Sequence, residues 1–167
     1  MERILVVSTP KSGLGGLRLN ESAVEVPWVK DYDAIEGEGP TRWPKRFDVS
    51  HWGLLAAFDA GKRIGGAVIA FNTTGLQMLE GRRDTAILWD IRVQPDKRSA
   101  GVGTALFRAG ETWCRQRGCR TLMIETQNIN VPACHFSVRM GCRLGAINRK
   151  AHPNLPNEAQ LLWFKQL

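Results

Sequence analysis

The loop that follows the strand-like run 86–93 has the residue types of an anion site. It reads Arg98-Ser99-Ala100-Gly101-Val102-Gly103, and a segment with helical periodicity follows it directly. Unpaired backbone N–H groups at a helix N-terminus point outward, and the helix dipole adds partial positive charge there. Gly101 and Gly103 let the backbone approach a pyrophosphate closely, and Arg98 adds a fixed charge with several donors. This stretch therefore predicts the binding of a polyphosphate group.

Other interpretations of so short a pattern stay open. A plain strand-to-helix turn accounts for an arginine and two glycines without any ligand. The dinucleotide-binding fingerprint competes poorly, because it needs Gly-x-Gly-x-x-Gly after the strand and an acidic residue near the end of the next strand. A nucleoside triphosphate loop would need Gly-Lys-Ser/Thr, which this stretch lacks.

Hydrophobic periodicity predicts the elements that would hold this loop in place. Apolar runs at 54–58 and 64–71 flank a glycine-bearing turn and predict a hairpin, which with 86–93 makes three antiparallel strands. A helix from Val102 would end near Gly118, a typical C-cap residue. The crossover then makes a strand at 121–126 parallel to 86–93. The other predicted elements are a strand at 4–7, a helix over 131–140 and closing strands at 143–148 and 159–164.

Composition indicates an ordinary soluble domain with a basic surface. A chain of 167 residues with 43% hydrophobic content suits a single domain over 1–167. The sequence contains no apolar run long enough for a bilayer, and its start lacks the pattern of a signal peptide, so we expect a cytoplasmic protein without membrane partners. A net charge of +7 favours anionic partners, and a polyphosphate cofactor qualifies as readily as nucleic acid. Because the basic residues are scattered, we expect no nucleic-acid partner.

The four cysteines predict buried free thiols. They stand at Cys114, Cys119, Cys134 and Cys142, none of them in a Cys-x-x-Cys pair. Zinc ligation favours paired spacing, and disulfide scaffolds favour smaller secreted chains. The three histidines show no metal-ligand spacing either, so we expect no metal.

Two motifs together resemble a known family. Arg-x-x-Gly-x-Gly at 98–103 resembles the acyl-CoA loop of the GNAT N-acetyltransferase superfamily, and ETQNINVPACHF at 125–136 resembles a second region of it. More narrowly, the latter run is similar to the streptothricin acetyltransferases, and the resemblance extends over residues 86 to 164. It implies an α/β (α+β) fold, with a mixed, mostly antiparallel sheet, a parallel splayed central strand pair and flanking helices.

The resemblance implies acetyl-CoA as the acetyl donor and assigns roles to particular residues. Backbone groups of Ile91, Arg92 and Val93 would meet the pantetheine arm as an added strand does. Asn130 would hydrogen-bond the pantetheine as well as cap its helix. The residues expected around the pyrophosphate are Arg98, Ser99, Gly101, Val102, Gly103 and Thr104.

One position departs from the family pattern and bears on catalysis. Relatives usually carry a tyrosine seven residues after the Asn130 position, as general acid toward the departing thiolate, and this chain has Ser137 there. A serine has a shorter reach and a higher pKa, so it could donate only through a water. Tyr32 is the sole tyrosine, and it could substitute only if its loop folds over the site. The loss of a general acid lowers the rate of the catalysed step by a factor of about 10²–10⁴.

An attacking amine must also lose a proton, which makes acids near the motifs candidate bases. Asp90 and Glu125 stand on the two strands that would splay around the thioester. Each also has a plain interpretation, a strand-end carboxylate meeting an arginine for Glu125 and a hydrogen-bonded polar group for Asp90. Ser137, Glu125 and Asp90 are thus the candidate catalytic residues.

The predicted function is acetyl transfer from acetyl-CoA to a small primary amine, with an aminoacyl or antibiotic-like acceptor such as streptothricin. The acidic stretch 31–39 is compatible with a cationic acceptor, although a solvated loop is the plainer interpretation. Ser137 favours the alternative of an acyl-CoA-binding sensor that transfers nothing. Six tryptophans leave room for an apolar interface in a homodimer.

Overall fold

The computed structural model describes residues 1–9, 16–35 and 39–167. Most of the glycine-rich segment 12–16, and Glu36 and Glu38 of the acidic stretch, lie outside the described residues. The strands are β1 (Arg3–Ser8), β2 (Arg18–Ala23), β3 (Gly53–Asp59), β4 (Lys62–Phe71), β5 (Thr85–Val93), β6 (Thr121–Gln127), β7 (Arg143–Asn148) and β8 (Gln160–Gln166). The α-helices are α1 (Trp43–Arg46), α2 (Val102–Arg115) and α3 (Val131–Arg139). None of the helices in the described part of the chain has the length and apolar character that crossing a bilayer requires.

The sheet topology confirms the predicted fold class. Six strands hydrogen-bond in the order β3-β4-β5-β6-β8-β7, and β1 and β2 form a separate antiparallel pair. The pairs β3–β4, β4–β5 and β7–β8 are antiparallel, whereas β5 and β6 are parallel. The parallel ladder ends at Leu88 and Ile124, although β5 continues to Val93 and β6 to Gln127. A mixed, mostly antiparallel sheet that contains the parallel pair β5–β6 is therefore present.

The chain divides into two compact units, and the predicted single domain stays a prediction. One unit contains residues 1–32 and 125–164, and the other contains residues 33–124 and 165–167. In the first, Leu161 and Trp163 of β8 are buried together with Val131 and Cys134 of α3. The β1–β2 pair is tied into this unit by the Leu5 amide, which donates to the Asn128 carbonyl at 2.9 Å.

In the second unit α2 packs against β3, β4 and β5. The helix buries Leu106 and Phe107, while the sheet buries Ile69 of β4 and Ile87 of β5. The hairpin prediction is confirmed, with a turn at Ala60 and Gly61 whose φ angles are 46° and 78°. Two successive positive φ angles are typical of the type I′ turn, whose twist matches that of paired strands.

The segment 41–52 contributes an aromatic cluster to the second unit. Trp43 of α1 and Trp52 are both buried, and their ring centroids lie 6.2 Å apart. Trp89 of β5 lies 5.4 Å from Trp52, and Phe47 lies 5.6 Å from Trp89. The Trp52 indole N–H donates to the Thr73 hydroxyl at 2.7 Å, so its polar atom is satisfied inside the cluster.

The four cysteines are buried free thiols, as predicted. Burial is the largest influence on each of the shifted thiols, and it raises the pKa of the Cys114 thiol to about 12. The thiolate is the nucleophilic form of cysteine, so this thiol is unreactive near neutral pH.

Gly65 of β4 allows the first turn of α2 to lie close to the sheet. A Cβ at this position would stand 2.9 Å from the Arg92 carbonyl oxygen, 3.2 Å from Leu106 Cδ1 and 3.4 Å from Val102 Cγ1. The first of these neighbours is backbone and cannot yield without moving β5. The absence of a side chain at Gly65 therefore sets the distance between the start of α2 and the strands beneath it.

We expect Gly65→Ala to lower the free energy of unfolding by about 1–3 kcal/mol, because an added methyl overpacks this contact. Gly110→Ala is the matched control, since the atoms nearest to its Cβ are the ends of two side chains, Ile69 Cδ1 at 3.2 Å and Leu55 Cδ1 at 3.9 Å, and not backbone. An alanine inside a helix is favoured by about 1 kcal/mol over glycine, so this control should stay neutral or gain stability. Urea denaturation of both variants measures the difference, and equal stabilities would refute the packing argument.

Candidate functional site

The turn between β5 and α2 has a backbone shape that few residues adopt. Residues Pro95–Lys97 form a short 3-10 turn, after which Ser99 has a φ of 63° and Gly101 a φ of 84°. Positive φ is uncommon for residues other than glycine, and Ser99 takes it without that freedom. The chain then enters α2 at Val102 with Gly101 as the N-cap residue.

None of the described residues caps the start of α2 with its side chain, and the first turn of the helix carries no acidic residue. The first amides of an α-helix have no acceptor within the helix, so those of Val102, Gly103 and Thr104 depend on water or a ligand. A Cβ on Gly101 would meet no atom of the described residues within 4 Å, which indicates open space beside the turn. Open amides at the positive end of a 14-residue helix suit a bound anion.

Arg98 is the cation of this turn that keeps its charge available. Its Nε donates to the Val93 carbonyl at 3.3 Å, and the structure gives it no ion pair among the described residues. The neighbouring Lys97, by contrast, pairs with Asp59 at 2.8 Å, which raises the pKa of its ammonium group. The guanidinium of Arg98 therefore adds exposed positive charge to the amides of Val102–Thr104.

Residues Ile91–Val93 present main-chain groups just before this turn. Along one edge they pair with Ala67, Gly66 and Gly65 of β4. The ladder on the other edge of β5 stops at Leu88, three residues before Ile91. Main chain of this kind can accept an added extended segment by strand-like hydrogen bonding. The second unit thus brings together Ile91, Arg92, Val93, Arg98, Ser99, Gly101, Val102, Gly103 and Thr104.

Asp90 is engaged by an arginine on its own strand. Arg92 Nε lies 2.9 Å from Asp90, and its Nη1 donates to Asp33 of the acidic stretch. Burial raises the pKa of the Asp90 carboxyl, and the hydrogen bond from Arg92 opposes that rise. The Arg92 guanidinium lowers the pKa of Asp33, so the charge of this carboxylate is already balanced within the unit.

The remaining predicted site residues lie in the first unit. Asn130 caps α3 as predicted, since its side-chain oxygen accepts from the Ala133 amide at 3.3 Å. The Ser137 side chain is buried on the same helix, and its hydroxyl donates to the Ala133 carbonyl at 3.0 Å. Its proton is therefore already committed to the backbone of α3, which argues against the expected role as proton donor.

Tyr32 presents a different hydroxyl in this unit. Its oxygen is buried and makes no hydrogen bond of normal geometry to the described residues. Burial raises the pKa of the phenol, and the nearby Asn130 side chain opposes the rise. Lys30 Nζ stands 5.1 Å from the centre of the Tyr32 ring and pairs with Glu158. The chain thus keeps one phenol with an uncommitted proton beside the first turn of α3.

Glu125 meets neighbours other than the arginine that the sequence suggested. Its carboxylate accepts from Gln160 Nε2 at 2.9 Å and from Gln127 Nε2 at 3.3 Å. His152 Nε2 stands 3.9 Å from the Glu125 carboxylate. His152 was not among the residues predicted from the sequence, because the three histidines lack metal-ligand spacing and no recognisable motif surrounds this one.

The chain matches a known protein family. The acetyltransferase (GNAT) family model matches residues 22–142. Streptothricin acetyltransferase A of Bacillus subtilis (strain 168) is 38% identical over 81 residues, which are 47% of each chain. The streptothricin acetyltransferase of Streptomyces lavendulae is 24% identical over 145 residues, 87% of this chain and 72% of that protein. The chain spans about half the length of the first two curated relatives it matches.

Solved structures share the fold over nearly the whole chain. A nourseothricin acetyltransferase superposes with a TM-score of 0.73 at 24% identity, covering 99% of this chain and 85% of that one. A Bacillus anthracis str. Ames protein, solved in complex with acetyl coenzyme A, gives a TM-score of 0.72 at 22% identity, covering 99% and 86%. Together with the family match, the uncapped turn and the strand order identify this chain as a member of the acetyltransferase (GNAT) family.

Proposed function

We propose that this protein transfers an acetyl group from acetyl-CoA to a primary amine. The observation that carries the proposal is the start of α2, where three amides lie open behind a positive-φ turn without a capping side chain. A diphosphate supplies the charge and the acceptor oxygens that such amides lack. Membership of the acetyltransferase (GNAT) family supports acetyl-CoA, whose coenzyme A part contains a diphosphate, as this ligand.

The proposed roles in binding acetyl-CoA follow from the hydrogen-bonding and charged groups that each segment offers. The amides of Val102–Thr104, with Arg98 and Ser99, would hold the diphosphate. The main chain of Ile91–Val93 would hydrogen-bond the pantetheine arm, since the β6 ladder ends before these residues. The Asn130 side-chain oxygen accepts from the Ala133 amide, so its NH₂ group would donate a hydrogen bond to the pantetheine.

The transfer itself balances as a simple displacement. The amine nitrogen attacks the acetyl carbonyl carbon and loses one proton, the carbon–sulfur bond breaks, and the departing thiolate takes up a proton. Main-chain amides of β5 would stabilise the oxyanion that develops on the carbonyl oxygen. Of the two candidate bases, Asp90 is paired with Arg92, whereas Glu125 is held by neutral amides. We therefore place the acceptor amine at Glu125.

A streptothricin-type amine is the proposed acceptor. Relatives from Bacillus subtilis, Escherichia coli and Streptomyces lavendulae carry the name streptothricin acetyltransferase. Because Asp33 is paired with Arg92, the described part of the acidic stretch adds little free negative charge for a cationic acceptor. The support for this acceptor class therefore rests on the relatives more than on that stretch.

Donor binding can be tested at Gly101. We expect Gly101→Asp to raise the Kd for CoA at least about tenfold, because a carboxylate at the helix N-terminus replaces the ligand's negative charge with its own. Gly75→Asp is the matched control, since it has a similar φ of 79° and the same open surroundings. Isothermal titration calorimetry of both folded variants checks this, and equal affinities would contradict the proposed diphosphate site.

The proton donor can be tested by two hydroxyl deletions. We propose Tyr32 as the general acid, so Tyr32→Phe should lower kcat by a factor of about 10² or more. Ser137→Ala should leave kcat nearly unchanged, because that hydroxyl is bonded to the Ala133 carbonyl. Thiol release from acetyl-CoA in the presence of streptothricin measures both, and the reverse ranking would return the role to Ser137.

A sensor that binds acyl-CoA without transfer is the second candidate, and the committed Ser137 hydroxyl is the observation that favours it. Acetyl-CoA that binds with measurable affinity and persists intact beside streptothricin and a panel of primary amines would support the sensor. Release of CoA with formation of the acetylated amine would exclude it.

A further inference from the structure

His152 lies in the connection between β7 and β8, and its environment is unusual for a histidine. The Nε2 atom is buried and has no hydrogen-bond partner in the part of the chain that the structure describes. The nearest acid is Glu125, whose Oε1 stands 3.9 Å away, too far for a direct hydrogen bond. A buried polar atom without a partner is costly, which indicates that another group completes this site.

The chemistry of the two side chains determines what that group must be. Glu125 already receives two amide N–H groups, from Gln160 and Gln127, which fix the carboxylate in place. A carboxylate can accept about four hydrogen bonds, so acceptor capacity is left over. A neutral imidazole offers a second acceptor at the unprotonated ring nitrogen. Two acceptors facing each other across 3.9 Å therefore call for a group that donates to both.

A primary ammonium group meets this requirement. It carries three donors on one nitrogen, and a nitrogen at ordinary hydrogen-bond distance from both atoms fits between acceptors with this separation. We propose that His152 and Glu125 together bind the acceptor amine, and that His152 removes its proton. This inference rests on the proposed acetyl transfer and names the group that prepares the amine for it.

The proton balance is complete without any additional reactant. The ammonium N–H bond breaks, its proton moves to His152 Nε2, and the electron pair stays on nitrogen as the nucleophile. Glu125 then stabilises the imidazolium by its negative charge. The imidazolium returns the proton to water, so that the transfer as a whole releases one proton for each acetylated ammonium.

The charged groups near His152 in the chain do not compete for this role. Glu158, on the same connection, is paired with Lys30. Arg149 and Lys150 precede His152 in the chain and are exposed, and the Glu125 carboxylate lies 3.9 Å from the Nε2 atom. His135 also pairs with a glutamate, Glu21, at 3.0 Å, but both side chains lie on the exposed surface of β2 and α3. His135 therefore provides a matched control of the same chemistry.

The test is steady-state kinetics with acetyl-CoA and streptothricin. We expect His152→Gln to lower kcat/KM for the amine by a factor of about 10²–10⁴, as the loss of a general base does. The KM for acetyl-CoA should stay near the wild-type value, which also shows that the variant is folded. Added imidazole should restore part of the activity of His152→Ala, and His135→Gln should behave as wild type.

Each other outcome counts against the inference. A folded His152→Gln protein with wild-type kcat/KM would overturn it while leaving the proposed transfer intact. A loss in His152→Ala that imidazole does not restore, or an equal loss in His135→Gln, would reduce His152 to a structural residue. A wild-type protein that binds CoA but acetylates no amine would overturn the proposed function and this inference with it.

Discussion

The arrangement depends on how α2 begins. A helix normally satisfies its first amides with a capping side chain, and this one starts at a glycine with a φ of 84°, behind a serine with a φ of 63°. Such a turn persists only where its surroundings hold it. Here the packing of α2 on β3, β4 and β5 does so, and Gly65 permits the close approach. The packing of the second unit thus holds the amides of Val102–Thr104 in fixed positions, where they have no acceptor within the helix.

Proton transfer depends on which polar side chains of the first unit are not already hydrogen-bonded. Ser137 occupies the expected position, but a buried serine inside a helix bonds readily to the carbonyl four residues before it. Tyr32 and His152 have the opposite property, since each buries a polar atom that makes no hydrogen bond of normal geometry to the described residues. Buried polar atoms are usually satisfied in folded proteins, so these two mark places where chemistry rather than stability explains the residue.

Much of the fold could be predicted because it depends on sequence patterns among neighbouring residues. The apolar runs of β3, β4 and β5, the glycines that end α2 and α3, and the Asn130 cap all depend on residues close together in the chain. The aromatic cluster could not be predicted, because Trp43, Phe47 and Trp52 acquire their place only by packing against Trp89. The same holds for the site: Arg98 and its glycines are contiguous, whereas His152 and Glu125 stand 27 positions apart and meet only through the sheet.

The central claim is that the amides of Val102, Gly103 and Thr104 bind the diphosphate of coenzyme A. Two-dimensional ¹H–¹⁵N spectra of the labelled protein test it most directly, with CoA and with pantetheine, which lacks the diphosphate, as separate titrants. We predict that CoA moves the proton resonances of these three amides downfield, as a new hydrogen bond to an anion does, and that pantetheine leaves them in place. Saturation with CoA that shifts other residues but leaves these three unchanged would contradict the account.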